Sequence, residues 1–177
     1  MKRSVFPGLA VALLLPALAE GQDTEWNRYT LEDLGGVHVR FEIDDVCQGA
    51  GITAALYEAD ASLKLIESEV GVLTMQEMLA NPAMPELRID VACAEGSEGA
   101  SGAMAWSVAL RVQQSAQMLR DTQITLPEAV TWFHGELGAT SAGGAADAVG
   151  SAVMRQIDLF AAAWAAAHAT DAGGADR

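Results

Sequence analysis

The sequence predicts an α+β domain in which a mixed sheet of about five strands carries helices packed on one face. Two observations lead to this prediction. Segments with alternating apolar residues and segments with apolar residues three or four apart follow one another in the order β-α-β-α-β-β-β-α. The chain also has 177 residues, enough for one ordinary core, and shows no internal repeat or second domain.

The first strand is predicted directly after Gly35-Gly36, where apolar and polar residues alternate. His38 and Arg40 lie on the polar face of this strand. The apolar face is formed by Val37, Val39, Phe41 and Ile43.

A helix is predicted next, because five apolar residues recur at steps of four and three. They are Ile52, Leu56, Ala59, Leu63 and Ile66, and we expect them to be buried. A short apolar strand, 70–73, follows, and Thr74 and Glu77 have the spacing of a capping box for a brief helix. A strand, a helix and a strand in this order favour a right-handed crossover between parallel strands.

The second half predicts antiparallel sheet and a final helix. Residues 87–93 and 104–112 alternate in the manner of a hairpin, with a flexible glycine-rich loop over 95–102. A further strand is expected at 129–137, followed by a Gly/Ala hinge at 141–145. The last helix has its apolar stripe at Val149, Val153, Ile157, Phe160 and Trp164.

The beginning of the chain is typical of a signal peptide over residues 1–19. Lys2-Arg3 precede an apolar run that closes with the small-x-small pattern of Ala17 and Ala19. We therefore expect a periplasmic or secreted protein without a membrane anchor. The remaining chain is predicted as a loose leader at 20–34, a domain at 35–169 and a disordered tail at 170–177.

The charge balance is strongly acidic. All 24 acidic residues follow Ala19 whereas two of the ten basic residues precede it, so the cleaved chain carries a net charge of −16. Nucleic acids and anionic membranes bind clustered Lys and Arg, so the sequence argues against both as partners. A protein or another envelope component remains as the expected partner, and the oligomeric state stays open.

Two cysteines, Cys47 and Cys93, are predicted to enter an oxidising compartment. They either form a disulfide or remain as two unpaired buried thiols.

The sequence lacks the spacing of known catalytic sites. His38, His134 and His168 are isolated, and no G-x-S-x-G, H-E-x-x-H or phosphate-binding glycine motif is present. We therefore expect no metal, no cofactor and a non-catalytic binding or envelope-assembly role. The alternative is a small secreted hydrolase or lipid-handling protein with a pocket between the last helix and the sheet.

The candidate binding residues lie on the predicted open sheet face. Trp132 and Phe133 are adjacent in one strand, so they point to opposite faces and one of them is expected to be exposed. His38 and Arg40 join the exposed one as candidates for a contact surface.

Trp132, Gly135 and Gly138 form a Trp-x-x-Gly-x-x-Gly stretch between a strand and the final helix. This stretch resembles that of uncharacterised short secreted bacterial α+β proteins, and the likeness covers roughly residues 30–168. The order of elements is also similar to the amino-terminal domain of the Tol-system propeller protein. The resemblance implies a fold and no activity. It also implies that the first strand lies between the short second strand and the third, which brings Cys47 and Cys93 to one edge of the sheet.

Overall fold

The structure of the protein is a computed structural model that describes residues 23–97 and 101–169. The predicted signal peptide and the predicted tail at 170–177 lie outside the described residues. The sheet has four strands in sequential order, with β1 parallel to β2 and the remaining neighbours antiparallel. The strands are β1 His38–Ile43, β2 Glu86–Glu95, β3 Ala103–Gln117 and β4 Thr125–Ser141.

Five α-helices accompany this sheet in the described part of the chain. They are α1 Glu25–Tyr29, α2 Asp45–Gly49, α3 Glu58–Glu67, α4 Met75–Ala80 and α5 Ala145–Ala169. The long helix α5 packs against β3 and β4, while α3 contacts α5 and β1, and α1 contacts α5 and β4. The predicted α+β class with a mixed sheet is confirmed. No helix in the described ranges has the length and apolar character needed to cross a bilayer.

The prediction of about five strands is wrong, because the sheet has four. The segment predicted as the second strand makes a single parallel bridge, between Val72 and Val37. Gly71 crosses so close to Gly35 that a Cβ on Gly71 would lie 2.6 Å from the Gly35 carbonyl oxygen. Thr74 then caps α4 at once. The extended stretch between this crossing and the cap is therefore too short to form a strand.

The predicted buried stripe of the first long helix is wrong except at Ile52, which is buried but precedes the helix. Leu56, Leu63 and Ile66 are 51%, 55% and 59% exposed, and the buried residues of α3 are Ala61 and Leu65. A 3₁₀ turn over Ala54–Leu56 precedes the helix, so α3 begins at Glu58 and not at Ile52. This later start rotates the helix relative to the predicted phase.

The core lies between α5 and one face of the sheet. Alternate residues of every strand point into it, and the predicted stripe on α5 is buried along its whole length. The fully buried larger side chains include Leu87, Ile89, Leu110, Trp132, Ile157 and Phe160. Burial of this apolar set is the main favourable contribution to folding.

The leader predicted to be loose is packed on the domain where the structure describes it. Leu31 is completely buried and Leu34 is 4% exposed. Asn27 Nδ2 donates to the Thr131 carbonyl at 2.7 Å, and Trp132 Nε1 donates to Asp23 at 3.1 Å. Two apolar side chains and two hydrogen bonds to β4 therefore hold this stretch, although its sequence lacks a helical period.

The hairpin of β3 and β4 is longer than the alternation predicts. β2 pairs with β3 only as far as Gln113, so the ends of β3 and β4 continue beyond the sheet as a two-stranded ribbon. Polar residues and Pro127 in this region hide the strand pattern from a reading of alternation. Leu119 at the tip is 99% exposed.

Candidate functional site

Cys47 and Cys93 form a disulfide, with 5.2 Å between their Cα atoms. Asp44 caps α2 by accepting a hydrogen bond from the Cys47 amide at 2.8 Å, and its second oxygen accepts from the Cys93 amide at 2.9 Å. The carboxylate and the two sulfurs lie close together, but the sulfurs are bonded to each other and the carboxylate caps two amides. The group therefore joins α2 to β2. The disulfide is consistent with an extracytoplasmic protein.

The three histidines each contact a backbone carbonyl or an amide. His38 Nδ1 lies 3.0 Å from the Leu73 carbonyl oxygen, and His168 Nδ1 lies 2.9 Å from that of Trp164. His134 Nδ1 donates to Gln156 Oε1 at 2.6 Å. These contacts hold neighbouring elements together, and none of them aligns a histidine with a serine or a thiol.

A polar contact line joins α5 to β4 beside the core. Gln156 is only 2% exposed, and it donates to Glu136 Oε2 at 3.2 Å while it accepts from His134. The Arg155 side chain, which bonds Glu136 at 2.6 Å, lowers the pKa of that carboxyl against the opposing effect of partial burial. The buried amide is therefore satisfied on both ends, and this line has a structural explanation.

The space between the last helix and the sheet is filled by side chains. Trp132, Ile157 and Phe160 are completely buried there, and the Trp132 and Phe160 rings pack edge to face at 5.3 Å. Two surface cavities lie elsewhere: one of about 380 Å³ beside β1 and one of about 330 Å³ between α1 and α5. The packing thus gives no support to a substrate pocket between α5 and the sheet.

The opposite side of the sheet faces solvent, and we call it the outer face. It is formed by the even-numbered residues of β1 and β2 (38–42 and 86–94) and the odd-numbered residues of β3 and β4 (103–113 and 133–141). Among these described residues all are exposed or half-buried except Gln113.

Three arginines lie side by side across the outer face. The strand register aligns Arg40 with Arg88, Arg88 with Arg111, and Arg111 with Phe133 on the last strand. Neighbouring strands are about 4.8 Å apart, so this row spans the sheet in about 14 Å. Three positive charges at this spacing repel one another. Carboxylates beside the row offset this repulsion.

The carboxylates link the arginines into one ion-pair network. Glu42 bonds Arg40 at 2.6 Å and also bonds Arg88. Asp90 bonds Arg88 at 3.1 Å and Arg111 Nε at 2.9 Å. Partial burial works to lower the pKa of Arg88, but the hydrogen bond that Arg88 donates to Asp90 and the nearby carboxylates raise that pKa overall. Arg88 therefore keeps its positive charge in the middle of the network.

The other half of the outer face is flat and apolar. Leu137 is 76% exposed and lies opposite Ser107. The surrounding outer-face positions are small: Ala92, Ala94, Ala105, Ala109 and Ala139. Small side chains on a sheet leave a smooth surface on which another molecule can pack closely.

The structure places His38, Arg40 and Phe133 on this one face, at opposite edges of the sheet. Trp132 as a binding-surface candidate is wrong, because it lies on the inner face with no exposed surface. Phe133 lies on the outer face and is half-buried. Sequence reasoning missed Arg88 and Arg111 as members of the surface. Residue alternation predicts which face of the strand each arginine occupies. It does not predict that the two arginines lie side by side, because that depends on the register of the hairpin.

Comparison of the chain with known protein families, with curated proteins and with solved structures finds no match. The likeness to short secreted bacterial α+β proteins therefore stays a prediction.

Proposed function

We propose that this chain is an exported, non-catalytic binding module whose outer face contacts a protein or another component of the cell envelope. One observation carries the proposal. A chain with strong net negative charge presents a sheet face on which three arginines and three carboxylates balance, beside a flat apolar surface around Leu137.

The charge balance supports this choice of surface. The ionic half of the face contains Arg40, Arg88 and Arg111 with Glu42, Glu86 and Asp90, so its formal charge is zero. Elsewhere the chain is acidic and repels other acidic molecules over about one Debye length. A balanced face is where another macromolecule approaches without this penalty. The ordered ion pairs then favour one orientation of the partner.

The disulfide supports the exported location. Bridged cysteines persist in oxidising compartments such as the periplasm or the extracellular space. The predicted signal peptide gives the same location, and export to either compartment belongs to the proposal.

Photo-crosslinking from the outer face tests the proposal. A benzophenone amino acid in place of Leu137 should yield a crosslinked product of defined mass in intact cells of the source organism. The matched control carries the same probe at Leu63, which is 55% exposed on α3, away from the sheet. Surface changes of this kind alter stability by within about 0.5 kcal/mol, so both variants should fold. Crosslinks from Leu63 without any from Leu137 would contradict the proposal.

A charge-reversal experiment tests the role of the ion pairs. Arg111→Glu places a second acid beside Asp90 and should abolish the crosslink from Leu137. Arg120→Glu reverses the same charge in the exposed turn between β3 and β4, outside the ion-pair network, and should leave the crosslink intact. Loss of the crosslink with both variants would show that only net charge matters, and the oriented contact would be wrong.

A further inference from the structure

The edge of the sheet at β1 carries backbone groups that the fold leaves available. The His38 amide donates to the Pro85 carbonyl and the Asp44 amide to the Val91 carbonyl, so even-numbered residues of this strand point towards β2. The backbone amide and carbonyl groups of the odd-numbered residues therefore point away from β2, towards the free edge. The outward groups of Val37 are already bonded: its amide donates to the Gly71 carbonyl, and its carbonyl accepts from the Leu73 amide.

Beyond Val37 the outward groups have no partner among the described residues. These are the amide and carbonyl of Val39, those of Phe41, and the amide of Ile43. The Ile43 carbonyl accepts from the Gln48 side chain at 2.7 Å, which closes the end of this edge. The result is a short free ladder, bounded by the Val72 bridge at one end and by Gln48 at the other.

A cavity of about 380 Å³ lies directly along this free ladder. Its walls are Phe41, Glu42 and Ile43 on the strand, with Gln48, Thr53 and Ala54 on the facing segments. Phe41 and Ile43 are half-buried, so each leaves apolar surface towards the cavity. Free backbone groups at every second residue, next to a partly apolar groove, are the features by which a sheet edge binds an extended peptide.

We propose that the β1 edge binds an extended segment of the partner protein as an added strand. The inference rests on the proposed function and names how the partner is held. Alternate backbone groups of the segment would bond Val39 and Phe41. An apolar side chain of the segment would fill the cavity against Phe41 and Ala54.

Charge indicates that the added segment is basic. Asp45 is exposed, lies three residues before Gln48 on the same side of α2, and forms no ion pair among the described residues. Glu42, by contrast, is already bonded to two arginines. A Lys or Arg at the end of the segment therefore meets Asp45. A second copy of this acidic chain would bring a second Asp45 to the same place, so charge disfavours self-pairing.

The first test uses a synthetic ten-residue peptide in which valine and lysine alternate, with both ends blocked. Hydrogen exchange followed by NMR in the folded, oxidised protein should show slower exchange of the Val39, Phe41 and Ile43 amides with the peptide. The His38 and Asp44 amides, already bonded to β2, are the internal control and should not change. Equal effects on both sets, or none on the outward set, would overturn the proposal.

Two N-methylated versions of the peptide separate strand addition from simple charge attraction. One carries the methyl groups on its valine nitrogens and the other on its lysine nitrogens. In an added strand only one of these sets faces β1, so only one version should lose binding. Similar binding by both versions would show that the peptide is held by charge alone and would refute the inference.

Variants of the protein complete the test. Val39→Pro removes an outward amide without breaking a bond to β2, and Ala54→Phe fills the cavity. Each change should lower the affinity for the peptide by about tenfold, which is the effect of losing one interface hydrogen bond or an equivalent contact. Ala55→Phe, at the next and more exposed position, is the matched control and should bind as the natural chain does. Thermal unfolding of each variant shows whether it is folded.

The cellular crosslink distinguishes failure of this inference from failure of the proposed function. If Val39→Pro leaves the crosslink from Leu137 intact, the outer face binds the partner and the edge does not. If the probe at Leu137 captures no partner even in the otherwise natural chain, the proposed function itself is wrong. Concentration-dependent protection of Val39 and Phe41 without any peptide would assign the edge to a second copy and overturn the inference.

Discussion

Gly138 allows Trp106 to pack across the hairpin, and replacing this glycine tests the packing directly. The two residues are cross-strand partners on the inner face. A Cβ at position 138 would lie 2.1 Å from Trp106 Cζ2 and 2.5 Å from Cε2. An ordinary carbon contact is about 3.5–4.0 Å, so Gly138→Ala forces the indole to move by more than an ångström. Trp106 is 8% exposed and has little room to do so.

The expected cost is that of overpacking a core, about 1–3 kcal/mol in the free energy of unfolding. A loss of about 2 kcal/mol lowers Tm by about 4–8 °C for a chain of this size. Urea and thermal unfolding of the oxidised protein, followed by circular dichroism, measure both quantities. Gly135→Ala is the matched control, because its new Cβ would meet the nearest atom at 3.4 Å. It should be neutral or stabilise by up to about 1 kcal/mol.

A double variant tests whether the indole is the cause. Trp106→Phe removes the ring atoms that the new methyl group would strike. Trp106 Nε1 has no hydrogen-bond partner among the described residues, so this change breaks no hydrogen bond. In the Trp106→Phe background, Gly138→Ala should cost at least about 1 kcal/mol less than in the natural chain. Equal costs in the two backgrounds, or a Gly138→Ala variant as stable as Gly135→Ala, would refute this account.

Three further predictions follow from the contacts around β1 and the leader. Replacing both Cys47 and Cys93 with Ala should lower the free energy of unfolding by about 4 kcal/mol on the loop-entropy estimate, measured by urea unfolding; a loss below about 1 kcal/mol would contradict it. Asp44→Ala removes two caps to backbone amides and should cost about 2 kcal/mol in the same assay, with the disulfide kept intact. Arg28 lowers the pKa of Asp23 below its ordinary 3.8. The stabilisation that the charged Asp23 provides is therefore fully present above pH 3.8, and it is lost as the pH falls through the lowered pKa. The stability difference between the natural chain and Asp23→Asn should therefore vanish in strong acid, and a difference that persists there would show that charge is not the cause.

Residue alternation predicted the faces of the sheet well. The strands β2 and β3 bury the predicted apolar residues, and the stripe on α5 is buried as its spacing requires. These elements lie against one large core, so their burial pattern is imposed by the strand and helix periods. The Cys47–Cys93 disulfide, left open by the residues alone, also formed.

The phase of α3 could not be predicted because its sequence offers two apolar stripes. Leu63 and Ile66 form one, while Ala61 and Leu65 continue from Tyr57 to form the other. Tyr57 donates to the Ala146 carbonyl at 3.0 Å, a contact with α5 that favours the second stripe. That partner is far away in the sequence, so no local pattern reveals it.

The candidate surface depended on register in the same way. Alternation alone assigns Arg40 and Phe133 each to one face of its own strand. It does not show that these two faces lie on the same side of the sheet. The bridge from β1 through β2 and β3 to β4 settles this. The free edge of β1 was hidden for a related reason: a fifth strand would have covered it, and the close crossing of Gly71 and Gly35 together with the cap at Thr74 prevents that.

The Cys47–Cys93 linkage has a consequence for the order of folding. The strands β2, β3 and β4 form a meander with short connections, so they can assemble early, whereas β1 must find β2 across a long intervening segment. The covalent link closes this same segment of 46 residues. Once oxidised, the chain no longer performs the slow search that joins its amino-terminal third to the rest. The supply of oxidant would then govern how quickly the folded protein accumulates.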